Sequence, residues 1–202
     1  MPGRSTPAAP ADPAKAGGIQ GIALLDDATR PQAPPIPGAT EAQRAHGRRL
    51  GLYHRYHLDE IAAVRHALDR FLAGLGTAED VADGVAAMTM IDNYRIFGTL
   101  CGRQCQLLEM HHTIEDQSLF PRLRRNEGLR PVLDRLKAEH VTIHALSERL
   151  QAASRAIAHD PAAAAASSLA EIFAVFARTV ASHFGYEERQ LEEALGVYRI
   201  EM

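Results

Sequence analysis

Histidine and glutamate recur four positions apart in this sequence of 202 residues, which contains ten histidines. Residues four apart on an α-helix lie on the same face with their Cβ atoms about 6 Å apart, so both side chains can reach one ion or two adjacent ions. Imidazole nitrogen and carboxylate oxygen suit iron or manganese, and the presence of only two cysteines argues against a structural zinc site. The pairs with this spacing include His111 and Glu115, His140 and His144, and His183 and Glu187.

A longer unit of histidine, glutamate, a second acid and leucine occurs twice. Its copies are His111, Glu115, Asp116 and Leu119, and His183, Glu187, Glu188 and Leu191. Burying so many ionisable groups is costly, because each charge needs a partner in a medium of low dielectric constant. A metal ion supplies that partner for several groups at once. The repeat therefore favours a metal centre over a bundle core that merely contains polar histidines.

Four long helices are predicted to carry these residues, because apolar residues recur at steps of three and four from residue 41 onward. The first helix ends before Gly74, and Thr77 begins a short connecting helix. The other three helices are predicted over about Ile91 to Leu119, ended by Pro121, over about Leu129 to His159, and onward from Asp160 and Pro161. Short connections between amphipathic helices predict an all-α, antiparallel, up-down-up-down four-helix bundle.

The first forty residues have a different composition, with eight of the eleven prolines and few large apolar residues. Such a stretch buries too little surface to offset its ordering entropy. We therefore expect a flexible tail over residues 1–42 and a bundle over residues 43–202.

Charge and composition narrow the class of protein. The formal net charge of −3 argues against a nucleic-acid binder, which needs a basic surplus. No uninterrupted apolar run reaches the length that spans a bilayer, so no membrane partner is expected. Two cysteines in this length suit a reducing compartment, which predicts a cytoplasmic protein.

The sequence resembles the hemerythrin-like (HHE cation-binding) family over about residues 48 to 198, in particular actinobacterial-type members with a proline-rich leader. The stretches that carry the resemblance are residues 52–65, the HHTIEDQSLFP segment at 111–121, EHVTIH at 139–144 and HFGYEE at 183–188. The resemblance implies an antiparallel four-helix bundle around a non-haem di-iron centre, bridged by two carboxylates and an oxygen species. Manganese or zinc is an alternative occupant of the same donors.

Five histidines and two carboxylates match the metal ligands of that family. They are His54, His111, Glu115, His140, His144, His183 and Glu187. Two of these assignments have rivals. His57 lies one turn from His54 on the same face, and His112 forms a competing pair with Asp116. Asp116 and Glu188 are then candidates for outer or surface roles.

The remaining candidates receive plainer interpretations. His46, His66 and His159 are taken as incidental, and Cys101 and Cys105 as small packing residues, with a redox-sensing thiol as the alternative. The tyrosines beside the proposed ligands either pack or donate a hydrogen bond to a bound ligand. They are Tyr53, Tyr56 and Tyr186.

The predicted function is binding of O₂, nitric oxide or peroxide at the di-iron centre, for sensing, storage or a stress response. An enzyme that destroys peroxide or reduces nitric oxide with the same centre is the alternative, because function depends on the pocket and not on the fold. A metal-free interaction protein is the third hypothesis. The oligomeric state is left open.

Overall fold

The computed structural model describes residues 18–89, 108–159 and 163–200. After a two-stranded hairpin, β1 Gly18–Ile19 and β2 Ile22–Ala23, residues 24–40 are mostly irregular, and the described chain beyond them is helical. The helices are α1 Glu41–Gly47, α2 Leu50–Leu72, α3 Ala78–Thr89, α4 Leu108–Ile114, α5 Phe120–Leu123, α6 Arg130–His159 and α7 Ala163–Val197. A π-helical turn, Glu115–Leu119, joins α4 to α5. The prediction of an all-α helical bundle is confirmed.

The helix ends match the predicted signals in several places. Thr77 and Asp80 cap α3 reciprocally: the Thr77 hydroxyl accepts from the Asp80 amide at 3.0 Å, and the Thr77 amide donates to the Asp80 carboxylate at 2.8 Å. Helix α6 follows its predicted range to within one residue. The predicted cap at Asp160 and Pro161 lies outside the described residues, as does the first part of the predicted second helix.

The prediction that Pro121 ends a helix was wrong, because the helix continues to Leu123. In the π-helical turn the amide of Phe120 donates to the carbonyl of Glu115, five residues back. The four-residue hydrogen-bond ladder is thus already interrupted before Pro121, so the missing proline N–H disrupts little. The chain re-enters α-helix at once, and the amide of Arg124 donates to the carbonyl of Phe120 at 2.8 Å.

Helix α1 packs closely across α7 through two glycines. A Cβ on Gly47 would lie 2.0 Å from the Glu192 carbonyl oxygen, and a Cβ on Gly196 would lie 1.9 Å from that of Gln43. These distances are far inside van der Waals contact, so only glycine permits this helix crossing. The contact fixes the C-terminal half of α7 against the start of α2.

Two apolar clusters fill the bundle at different heights. The first is built around Leu68, Ile143, Leu150, Phe173, Phe176 and Val180. The second is built around Leu50, Leu123, Leu133, Leu136, Leu191 and Leu195. Helices α2, α6 and α7 contribute to both clusters, and the buried histidines and glutamates lie on these helices and on α4 with its π-helical turn, between the two clusters. The polar residues therefore form a layer between two apolar ones.

Helix α7 is long and apolar enough to cross a membrane by length and composition alone, with a mean hydropathy of 1.4 over its most apolar window. The core helix of a soluble bundle has the same properties. In this fold its stripe from Leu169 to Leu191 is buried against the other helices.

Part of the segment predicted as a flexible tail, residues 24–40, here called the strap, lies along α6 and α7. Residues 1–17 of that segment lie outside the described residues. The amide of Ala33 donates to Gln190 at 2.6 Å and the amide of Ile36 donates to Glu193 at 2.7 Å. The hydroxyl of Tyr186 donates to the carbonyl of Pro31 at 2.8 Å. Proline stiffens the chain and leaves few N–H groups to satisfy, so a few polar anchors suffice to hold such a segment.

Candidate metal centre

Seven buried or nearly buried side chains from four helical segments meet in the polar layer. Helix α2 supplies one, α4 and the π-helical turn supply three, α6 supplies one and α7 supplies two. They are His54, His111, His112, Glu115, His140, His183 and Glu187. Within the described residues they form two sets, each with its candidate ligand atoms within 4.8 Å of one another.

The three-histidine group consists of His112, His140 and His183, all buried. The rings of His112 and His140 stack with centroids 4.0 Å apart, and His183 meets His140 edge-on at 4.9 Å. This set offers three imidazole nitrogens to one ion.

The two-histidine group consists of His54 and His111 with Glu115 and Glu187. Its side chains come from α2, from α4 and the π-helical turn, and from α7. Only His111 retains some exposure, 12 % of its side chain.

The two carboxylates lie between the groups. Glu115 has one oxygen 3.1 Å from His111 Nε2 and the other 3.6 Å from His140 Nε2. Oxygen Oε2 of Glu187 is 3.4 Å from His54 Nε2 and 3.8 Å from His183 Nε2. Each carboxylate therefore reaches one histidine of each group, as a ligand shared by two cations would.

The ligand atoms of these residues are buried without a hydrogen bond. This holds for the Nε2 atom of all five histidines and for both oxygens of Glu115 and Glu187. Their distances to one another are short, but the directions are not those of hydrogen bonds. Buried polar atoms are satisfied in almost all proteins, so a cluster of nine such atoms marks a binding site. Imidazole nitrogen with carboxylate oxygen is a donor set that fits iron, manganese or zinc.

The opposite nitrogen of most of these rings is held by a partner, as metal-ligating histidines require. The Nδ1 contacts are His54 to Glu188 at 2.8 Å, His112 to His144 Nε2 at 3.1 Å, His140 to Asp116 at 3.1 Å and His183 to Glu139 at 2.9 Å. These contacts orient the rings so that Nε2 points into the cluster.

Burial sets the protonation of the site. It lowers the pKa of His111 and of His112 well below the ordinary histidine value, so both rings are neutral and able to bind a cation. Burial and the neighbouring Glu187 raise the pKa of Glu115 well above its usual range. Burial opposes ionisation of Glu187 too, but the ring of His54, 3.4 Å away, brings its pKa down to about 2. A bound cation is what would let both carboxylates ionise together.

Phe184 forms an apolar wall beside the two-histidine group. Its ring stacks on His54 with centroids 3.9 Å apart and lies 5.9 Å from that of His111. His57 is 2 % exposed and its ring centroid is 5.2 Å from that of His111. It lies outside both candidate sets and lines the site, so of the pair left open in α2 the structure brings His54 into the cluster.

Six of the seven predicted ligands enter the cluster, and His144 does not. His112, which was not among the seven predicted ligands, is the fifth histidine of the cluster and belongs to the three-histidine group. One helical turn, about 6 Å of rise, carries His144 past the level of His140, where it contacts the far side of His112. His111 and His112 were treated as rivals, yet each serves a different group, because consecutive helix positions face about 100° apart.

The other candidates lie outside the cluster. His46 contacts the Ile200 carbonyl at 3.0 Å, Tyr186 is directed at the strap, and Tyr56 is 40 % exposed. Cys101 and Cys105 fall outside the described residues. No role was predicted from the sequence for Glu139 or for Arg30, which bonds it from the strap. Arg135, four positions before Glu139, was the one local signal, and the contact with Arg30 spans 109 positions.

A family model for the hemerythrin HHE cation-binding domain matches residues 48–195. The match covers the helices that carry all seven clustered side chains. Neither the search of curated proteins nor that of solved structures found a match.

Proposed function

The chain belongs to the hemerythrin HHE cation-binding family, and on that premise we propose that it is a non-haem di-iron protein that binds O₂, nitric oxide or peroxide. The observation that supports this is the set of nine buried, unsatisfied ligand atoms, divided into two groups that share two carboxylates. Hemerythrin domains bind metal ions, typically iron, and small ligands such as O₂ through them.

The residues divide naturally between two ions. His112, His140 and His183 would hold one, His54 and His111 the other, and Glu115 and Glu187 would serve both. Because the second set has one nitrogen fewer, the position for a small ligand belongs beside His54 and His111. Ferrous iron there would supply a redox-active centre able to take up such a ligand.

The protein's own side chains prepare this position. The buried rings of His111 and His112 are neutral and leave Nε2 free to bind a cation. The outer carboxylates of Glu188, Asp116 and Glu139 hold Nδ1 of His54, His140 and His183. Phe184 and His57 exclude bulk water from the two-histidine side. The same donors accept manganese or zinc.

Metal analysis combined with visible spectroscopy tests the proposal. The protein is purified without oxygen, its iron is counted, and its spectrum is followed as air is admitted and withdrawn. About two irons per chain and a spectrum that changes reversibly support a carrier or sensor. A chain without stoichiometric metal, whose melting temperature a chelator leaves unchanged, contradicts the proposal.

Turnover distinguishes the enzymatic alternative. Sustained O₂ release from hydrogen peroxide, or sustained consumption of nitric oxide, that disappears in Glu115→Ala would make the centre catalytic. The cytoplasmic location remains a prediction from cysteine usage.

A further inference from the structure

Arg30 links the strap to the polar layer. Its side chain is 9 % exposed, and its guanidinium donates to both oxygens of Glu139, at 2.8 and 3.0 Å. A third bond goes to the hydroxyl of Ser182 at 2.8 Å. The guanidinium also lies 4.8 Å over the ring of Tyr186. A planar, bidentate pair of this kind fixes a carboxylate in orientation as well as in charge.

Glu139, held in this way, orients one histidine of the three-histidine group. Its Oε2 atom is 2.9 Å from Nδ1 of His183, whose opposite nitrogen points into the cluster. Glu139 is 3 % exposed, so its charge depends on protein partners.

A second arginine makes the same connection from α6. Arg135 donates to Glu139 Oε1 at 2.6 Å, and its other nitrogens donate to Thr29 Oγ1 at 2.9 Å and to the Asp26 carbonyl at 2.8 Å. Both arginines that hold Glu139 therefore also involve residues 26–30, Arg30 as one of them and Arg135 by contact with them.

The two-histidine group has a different outer support. Glu188, the partner of His54 Nδ1, is 41 % exposed and lies on α7 itself. The strap contacts the outer partner of His183, whereas His54 relies on an acid that faces solvent.

We propose that Arg30 is a positioning residue for the metal of the three-histidine group, acting through Glu139 and His183, so that docking of the strap controls retention of that ion. The inference rests on the proposed function, since it requires a bound metal. The strap precedes the family domain, so the domain's metal site is completed by a segment outside it.

Metal release from the full chain tests this role. Wild type, Arg30→Ala and Arg30→Lys are loaded with ferrous iron under argon, and iron transfer to excess chelator is followed over time. In Arg30→Ala one equivalent should leave about 10-fold faster, the size expected when an outer partner of a metal ligand is lost. The second equivalent should keep its wild-type rate, and Arg30→Lys should lie between the two.

Arg48→Ala is the matched control. Arg48 also pairs with carboxylates, those of Glu41 and of Glu192, the latter at 2.7 Å, and both partners lie outside the strap and the cluster. It should release both equivalents at the wild-type rate. If Arg30→Ala does not fold, as judged by circular dichroism of the metal-free chain, Arg30→Lys and Arg30→Gln make the same comparison.

Three results would overturn the proposal. Equal acceleration of both equivalents, or the same acceleration in Arg48→Ala, would show that the strap only stabilises the fold. Unchanged release in every Arg30 variant would show that Glu139 needs no help from the strap. In each case the di-iron proposal survives. A wild-type chain that takes up no iron refutes the di-iron proposal and this inference with it.

Discussion

The three-histidine and two-histidine groups lie side by side in one polar layer but are supported differently. Around the first, the outer partner of His183 is itself held, with Glu139 bonded by Arg30 and Arg135. Around the second, His54 relies on the half-exposed Glu188, and an apolar ring, Phe184, covers the inner side. Charged side chains support the three-histidine group, whereas an apolar ring covers the two-histidine group. A firmly held outer partner suits an ion that stays bound, and an apolar surface suits a position at which a small ligand exchanges.

Removing a shared carboxylate should weaken iron binding in both groups, so that neither ion is retained better than the other. Glu187→Ala takes away the oxygen that lies 3.4 Å from His54 and 3.8 Å from His183, so both ions lose a ligand. We expect iron content to fall from about two per chain to well below one. Elemental analysis after desalting measures it. Glu192→Ala, on the surface of the same helix, is the control, and full retention in Glu187→Ala would refute the shared role.

Removing His112 should lower iron binding in the three-histidine group alone. Comparison with removal of His144 shows which of the two residues is the metal ligand. His112→Ala is expected to lose about one iron per chain, because Nε2 of His112 points into the three-histidine group. His144→Ala removes only a partner of its Nδ1, which should weaken retention by about 10-fold without lowering stoichiometry at saturating iron. The reverse result would restore His144 as the ligand.

Replacing Phe184 should weaken retention of the ion in the two-histidine group. Phe184→Leu keeps most of the side-chain volume but removes the ring stacked on His54, so stability should fall by less than about 1.5 kcal/mol. We expect the ion of the two-histidine group to leave a few-fold faster, which is the opposite selectivity from that of Arg30→Ala. Faster release of the ion in the three-histidine group instead would contradict the proposed difference in support between the two groups.

The smallest expected effect is on pH dependence. Burial opposes ionisation of Glu139, but hydrogen bonds from His183, Arg30 and Arg135 lower its pKa from 4.5 to about 2. A lowered folded-state pKa stabilises the fold fully above the unfolded value and loses that contribution as pH falls toward about 2. In the metal-free chain, the stability difference between wild type and Glu139→Gln should therefore be constant above pH 4.5 and shrink below it. Urea unfolding at several pH values measures it, and a difference independent of pH would contradict the assignment.

The sequence predicted well whatever depends on helical periodicity. The range of α6, the cap of α3 and the buried stripe of α7 follow from residues within a few turns of one another. The same locality placed His54, His111, Glu115, His140, His183 and Glu187 on inward faces, because four-residue spacing is a helix property.

The structure departs from the sequence predictions where a residue's role depends on distant parts of the chain. The choice between His112 and His144 depends on how far α6 is displaced along its axis relative to α4, which local spacing does not determine. The strap has few apolar residues, so composition predicted a flexible tail. Its position depends on polar bonds to Gln190, Glu193 and Glu139, each more than 100 positions away, and on the packing of Leu24 and Ile36 against the two apolar clusters.

The π-helical turn gives the second ligand-bearing helix an adjustable length. Its hydrogen bond from Phe120 to Glu115 encloses one residue more than an α-turn does. Gln117 and Ser118 are exposed there, while Glu115 before them and Leu119 and Phe120 after them are buried. Loss of one of the exposed residues would convert the turn to α-helix and still leave the histidine pair and the apolar residues on their present faces. A one-residue deletion, a change that usually ruins a buried helix, is thus best tolerated immediately beside the metal ligands.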